Sequence, residues 1–151
     1  MVFNKLTSLF LFPIYHLIHR NIIFGIIHKK LIKSFNYKKF KFFLNEKFTP
    51  LKNYSSFLFK TYEYNDRVLI ERNLNEGHKC IVVGGGIGFI ATLTYYLTKK
   101  KVFVFEINKY IVPVLKKNLK FNKCDFKLFS KNLTINEKKK VKTFYLSKDF
   151  L

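Results

Sequence analysis

The stretch from Cys80 to Glu106, CIVVGGGIGFIATLTYYLTKKKVFVFE, restricts the fold of this chain more than any other. Its opening run, Cys80-Ile81-Val82-Val83, is short, apolar and rich in β-branched residues. Such a run suits a strand buried on both faces, as in a parallel sheet. Gly84-Gly85-Gly86-Ile87-Gly88 follows at once, and glycines at this density allow backbone angles and close approaches closed to other residues. Residues 89 to 98 carry Ile90, Leu93 and Leu97 at helical spacing. A second apolar strand, Val102 to Phe105, ends in Glu106. The whole is a βαβ unit of an α/β fold, with a glycine turn after its first strand and an acid at the tip of its second. Glu106 lies 18 residues beyond Gly88, near the spacing of about 20 at which an acid meets a nucleotide ribose.

Two readings of the turn compete. Either it only connects strand to helix, or it forms the floor of a nucleotide-type site. Four glycines in five positions, set between a strand and a helix with a carboxylate at the next strand's end, favour the second. The dinucleotide pattern G-x-G-x-x-G is met at Gly84 and Gly86 but places Phe89 at the third glycine, where a ring opposes close helix–strand packing. The pattern G-x-G-x-G, with Gly84, Gly86 and Gly88, is met throughout. It resembles the first motif of the class I S-adenosylmethionine-dependent methyltransferases. That resemblance implies a Rossmann-like fold and S-adenosylmethionine as cofactor. It also implies a cofactor site of Gly84, Gly85, Gly86, Gly88, Glu106 and Ile107, with Glu106 accepting the two ribose hydroxyls.

Three further elements narrow the resemblance. They are Glu106-Ile107-Asn108, the stretch from Tyr110 to Asn122 with Pro113, Asn118 and Asn122, and Thr61-Tyr62-Glu63 upstream. Together they resemble the FkbM-type methyltransferases, a family linked to O-methylation of sugars, over roughly residues 55 to 151. A small-molecule or glycan hydroxyl is then the implied acceptor. The chain departs from the family in two ways. Val82 stands where the family has an acid that helps hold the methionine end of the cofactor. Only 63 residues follow Gly88, too few for all seven strands of the class.

The expected architecture is therefore an incomplete Rossmann-like domain, residues 53–151, holding the first three or four strands. A basic, apolar, helical segment, residues 1–52, precedes it. Without a fourth strand beside it, Cys80 to Val83 becomes a sheet edge, and one side of the cofactor site is left open. The chain is expected to be a fragment, a degenerate product or half of an assembly, completed by oligomerisation or by a missing C-terminal half. Alone it is expected to transfer no methyl group to sugar hydroxyls. No residue matches a catalytic motif, so no general base is assigned.

A formal charge of +20 invites a nucleic-acid reading. Yet the lysines are spread along the whole chain, and only Arg20, Arg67 and Arg72 supply the guanidinium that phosphate and base readers favour. Nucleic acid is not the expected partner. The two cysteines, Cys80 and Cys124, are too few for a disulfide framework and lack metal-ligand spacing, so no metal is expected. Cys80 reads as core.

Residues 6 to 28 are strongly apolar, but Pro13, Gly25, Arg20 and His16, His19 and His28 interrupt a clean membrane span. They read as a pair of short helices packing on the domain, with peripheral contact to anionic lipid as the alternative. The expected location is cytoplasmic, with that lipid contact allowed. Residues 29 to 52 interleave lysines with Phe35, Tyr37, Phe40, Phe42 and Phe43 and read as a linker or helical arm, closed by Thr49-Pro50.

A helix capped by Asn65-Asp66 is expected to run to about Asn75, covering the sheet with Leu69, Ile70 and Leu74. Asn108 is the expected cap of the following helix, whose regular part begins near Val112 and buries Leu115 and Leu119. A third strand spans 125 to 130 and a fourth 141 to 146. Ser130 to Asn132 are the expected neighbours of the adenine. Two other functions remain open beside methyl transfer. VVGGGIG followed by VFVFE also resembles the start of FAD- or NAD-binding oxidoreductases. A non-enzymatic, membrane-associated protein is the third.

Overall fold

The computed structural model describes residues 22–131. The elements in order are α1 (Ile22–Leu31), β1 (Ser34–Tyr37), β2 (Phe40–Phe43), α2 (Leu51–Leu58), α3 (Tyr64–Asn73), β3 (Ile81–Val83), α4 (Phe89–Thr98), β4 (Val102–Phe105), α5 (Val112–Phe121) and β5 (Phe126–Phe129). Strands β3, β4 and β5 lie side by side in that order and run parallel. This is the order and direction of the first half of a Rossmann-like sheet. The expected strand at 141 to 146 lies outside the described residues, as do Asn132, His16 and His19.

One face of this sheet is packed. Val102 and Val104 of β4 meet Ala91 of α4 and Leu115 and Leu119 of α5, with Val82, Phe126 and Leu128 beside them. Both crossover helices thus meet the same face of the sheet, α4 through Ala91 and α5 through Leu115 and Leu119, which take the buried positions expected of them. Strand residues alternate between faces, so the other side carries Ile81, Val83, Phe103, Phe105 and Phe129. Ile81 is 60% exposed and Val83 61%. The expectation of a strand buried on both faces is corrected: among the described residues only one face is covered. Cys80 is likewise half-buried rather than core. The edge position of this strand is as expected, since β3 bonds only to β4 among the described strands.

A second correction concerns residues 34 to 43. A β-hairpin stands where a linker or helical arm was expected, with Phe35 paired to Phe42 and Tyr37 to Phe40. All four side chains are buried. They join Phe57, Ile87, Phe89, Leu93 and Val114 in one core. The alternation of aromatic and polar residues in S-F-N-Y and F-K-F is what gives the hairpin a buried face. Its two-residue turn is Lys38-Lys39, with Lys38 at φ 51. The Lys38 ammonium meets Glu71 of α3 at 2.8 Å, and the Tyr37 hydroxyl donates to the same carboxylate at 3.1 Å.

Phe89, at the position of the third dinucleotide glycine, is the hub of this aromatic core. Its ring lies 5.2 Å from Phe42, 5.3 Å from Tyr37 and 5.7 Å from Tyr62. The hairpin is also tied to α5 by two asparagines. The Asn118 amide accepts from Phe43 N–H at 2.8 Å and donates to Phe43 C=O at 2.9 Å and Ile87 C=O at 2.8 Å. Asn122 does the same for Lys41, at 3.2 and 2.9 Å. Two strand residues advance about 6.7 Å and four helical residues about 6 Å, so the i, i+4 pair matches alternate residues of β2. These side chains act as a short extra strand along its edge.

Helix α3 starts one residue before Asn65, and Glu63 is its N-cap residue with φ 48 and ψ 39. Asp66 falls inside the first turn, where its charge favours the helix dipole. The helix buries none of its residues, and Leu69 is 61% exposed. The expected cover over the sheet is absent: α3 contacts α4, and a space of about 400 Å³ lies between Leu69, Ile70 and Leu74 and the residues of β3. Asn108 also differs from expectation. Its side chain accepts from Tyr110 N–H at 3.0 Å within a preceding turn, while Ile111 is the cap of α5. That helix does begin at Val112, with Pro113 in its first turn, where a missing N–H costs no bond.

Candidate functional site

The glycine turn divides into two pairs of residues. A Cβ on Gly85 would lie 2.6 Å from Val104 Cγ1 and 2.8 Å from Leu115 Cδ2, and one on Gly88 would lie 3.1 Å from Leu115 Cδ1. Gly85 and Gly88 therefore face the packed core and let α5 approach the turn. Gly88 supplies the close helix approach that Phe89 cannot. Gly84 and Gly86 have positive φ, 79 and 50. A Cβ on Gly84 would meet open space, and one on Gly86 only Tyr62 and Glu63, at 3.8 and 3.9 Å.

That open space is a cavity of about 330 Å³. Gly84, Gly86, Glu106 and Ile107 line it, so the structure brings together four of the six residues named for the cofactor. Gly85 and Gly88 support it from the core side. Ile107, 37% exposed, sits at its rim. Ser130 and Lys131 are exposed at the end of β5 and do not line it.

Glu106 is 7% exposed. Its Oε2 accepts from Gly86 N–H at 2.9 Å and its Oε1 from Asn108 N–H at 2.7 Å. Parallel pairing of β3 with β4 sets this geometry, since the register that pairs Val83 with Phe105 puts the acid beside the turn. A carboxylate accepts about four hydrogen bonds, so each oxygen keeps a lone pair for a ligand hydroxyl.

The opposite wall was missed in the sequence. Phe48, Thr49, Pro50, Asn53, Phe57, Tyr62 and Glu63 close the cavity across from the glycines. These residues come from upstream of the βαβ unit, whereas the β3 edge, the side expected to lie open, borders a separate space of about 400 Å³ among the described residues. Phe48 stacks on Tyr110 at 5.1 Å, joining this wall to the turn before α5. The only sequence signals were Thr49-Pro50, read as a boundary, and Thr61-Tyr62-Glu63.

Within this wall Glu63 is electrostatically distinctive. Burial raises its pKa to about 7, against a lowering effect of the Tyr62 hydroxyl hydrogen bond, with Asp66 raising it further. Burial also pushes the Tyr62 phenol well above its usual range. The left-handed backbone of Glu63 costs an ordinary residue about 1 kcal/mol. Burial raises both thiols as well, Cys124 to about 11, which excludes a thiolate nucleophile at neutral pH. Among the described residues no His, Cys, Asp and Glu side chains cluster as metal ligands. No described helix is long and apolar enough to cross a membrane.

No family model matches the chain, and no curated protein matches it. Among solved structures, a protein of Pyrococcus horikoshii assigned as an RNA methyltransferase aligns at 27% identity with a TM-score of 0.34. The alignment covers 70% of this chain and 46% of that one, so the chain spans under half the length of that structure.

Proposed function

We propose that the cavity binds S-adenosylmethionine and that the chain is the cofactor-binding part of a methyltransferase of FkbM type, acting on a sugar or glycan hydroxyl. The observation that carries this reading is Glu106. It stands at the tip of β4 beside the glycine turn, held by two backbone amides, with acceptor capacity left toward the cavity.

The lining fits the cofactor part by part. The bare Cα atoms of Gly84 and Gly86 leave a floor that a Cβ would fill. A fixed carboxylate suits a vicinal diol, because it accepts from both hydroxyls. Ile107 and Ile111 offer apolar contact to a base. When bound, S-adenosylmethionine supplies an electrophilic methyl group. The residues here bind and orient it, and the wall from Phe48 to Glu63 excludes water. The choice of acceptor rests on the family resemblance of residues 55 to 151.

A dinucleotide fits less well. A pyrophosphate is gripped by free amides at the glycine turn and helix start. In this chain the Gly86 amide is taken by a carboxylate.

Calorimetric titration of the purified chain with S-adenosylhomocysteine, FAD and NAD tests the reading. Binding of the first alone is the expected result, and binding of FAD or NAD in its place would overturn it. Labelled S-adenosylmethionine with a panel of glycans, RNA and protein then tests the acceptor. Label in a glycan, lost on Glu106→Ala, supports a hydroxyl of that class; label in RNA or protein replaces it.

A further inference from the structure

The reading above accounts for the nucleoside part of the ligand and leaves its amino-acid end unheld, because Val82 brings no charge to the strand below the turn. Glu63 stands across the turn from that position. Its Oε1 lies 3.9 Å from where a Cβ on Gly86 would be, and the Tyr62 hydroxyl lies 3.8 Å from the same point. Glu63 lines the cavity that holds Glu106. It also lines an adjoining space of about 400 Å³ bounded by Val82, Val83 and Gly84. It therefore sits where the two spaces meet, over the first glycines of the turn.

The electrostatics are those of a cation site without its cation. Among the described residues no lysine or arginine forms an ion pair with Glu63. Its neighbours are the Tyr62 hydroxyl and the like charge of Asp66, with Glu106 across the turn interacting with Tyr62. Arg67, one turn along the helix, is directed instead at the rings of Tyr37 and Tyr64 and at Lys60 C=O. A desolvated acid in a cleft, held by one neutral donor, is poised to ionise when a cation enters.

We infer that Glu63 binds the ammonium of the amino-acid end of the ligand, with the Tyr62 hydroxyl orienting its carboxylate. The inference rests on the S-adenosylmethionine reading and extends it. Glu106 takes the diol and Glu63 the ammonium, one on each side of Gly86. Glu63 does from the wall what an acid at position 82 would do from the strand.

The test compares two ligands that differ only at this end, S-adenosylhomocysteine and methylthioadenosine, by calorimetry on the full chain. Wild type is expected to bind S-adenosylhomocysteine at least tenfold more tightly. Glu63→Gln should erase that advantage and leave methylthioadenosine affinity unchanged. A second measurement needs no variant. Between pH 5 and 7 the carboxyl must release a proton to meet the ammonium, so S-adenosylhomocysteine affinity should rise by up to roughly tenfold per unit. Methylthioadenosine affinity should stay flat. Equal affinities for the two ligands in wild type, equal weakening of both by Glu63→Gln, or parallel pH profiles would overturn the inference while leaving the cofactor reading intact. Failure of both ligands to bind wild type would overturn the cofactor reading, and the inference with it.

Discussion

Glu106 and Gly86, 20 residues apart, share a 2.9 Å hydrogen bond from the Gly86 amide to the carboxylate. The acid therefore shapes the turn as well as lining the cavity. Glu106→Ala removes this bond and the acceptors offered to a ligand diol, each charge-assisted pair contributing about 1.5–3 kcal/mol. S-adenosylhomocysteine affinity should fall at least tenfold, with the far-ultraviolet circular dichroism retained. Unchanged affinity in calorimetry would show that the ligand does not use this acid.

Gly85 and Gly86 are adjacent but should fail differently. Gly85→Ala forces a methyl group into Val104 and Leu115, which are both fully buried. It should lower stability by about 1–3 kcal/mol, read as a drop in melting temperature, with ligand affinity of the folded fraction kept. Gly86→Ala meets nothing closer than 3.8 Å. It should cost about 1 kcal/mol through its positive φ while weakening S-adenosylhomocysteine several-fold by filling the floor. The reverse pattern would mean that Gly86 belongs to the packing and Gly85 to the cavity.

Asn118→Leu keeps the branched shape, with a somewhat larger side chain, and deletes three hydrogen bonds at a fully buried site. The backbone groups of Phe43 and the carbonyl of Ile87 lose their partner, at about 1–3 kcal/mol for each group that stays buried. Denaturant titration should show a loss of at least 2 kcal/mol. Hydrogen exchange should quicken at Lys41 and Phe43 before it does in β4. A neutral effect on both would rule out the asparagine ladder as the hairpin's anchor.

Glu63 also sets a pH dependence of the empty protein. Its folded pKa of about 7 lies above its ordinary value of 4.5. The folded chain thus keeps a proton that the unfolded chain gives up between those values. Stability from this group is present below pH 4.5 and lost as pH rises through 7. The loss is on the order of 1–3 kcal/mol, allowing for partial exposure of the side chain. Glu63→Gln should remove that slope and be the more stable protein at pH 8. Urea midpoints at pH 5 and pH 8 for both proteins measure it.

The strand, glycine turn, helix, second strand and acid were legible because each signal is local. Apolar runs, four glycines and a 3.6-residue period all fall within residues 80 to 106. The parallel pairing that sets Glu106 beside Gly86 follows from that unit. The hairpin was not legible, although S-F-N-Y and F-K-F-F carry a period of two, because Lys38-Lys39 has none of the residues that mark a tight turn. What fixes it is distant: Phe89, Asn118 and Asn122. The resemblance noted those asparagines without their role, which is to bond backbone some 75 to 81 residues away. The division of the glycines into core-facing and cavity-facing pairs depends on where Leu115 lands, which no local pattern states. The same holds for the wall from Phe48 to Glu63, whose residues meet the turn only in three dimensions.

The asparagine ladder has a consequence for synthesis. Phe43 leaves the ribosome 75 residues ahead of its partner Asn118. At roughly 5–20 residues per second, it waits about 4–15 s. Until Phe89 emerges, 46 residues behind Phe43, the rings of Phe35, Tyr37, Phe40 and Phe42 have nothing of α4 to pack on, and through the whole interval β2 has no amide to finish its edge. The emerging N-terminal region is thus a ready client for a chaperone that shields aromatic segments, and its need for one ends once Asn122 has cleared the exit tunnel.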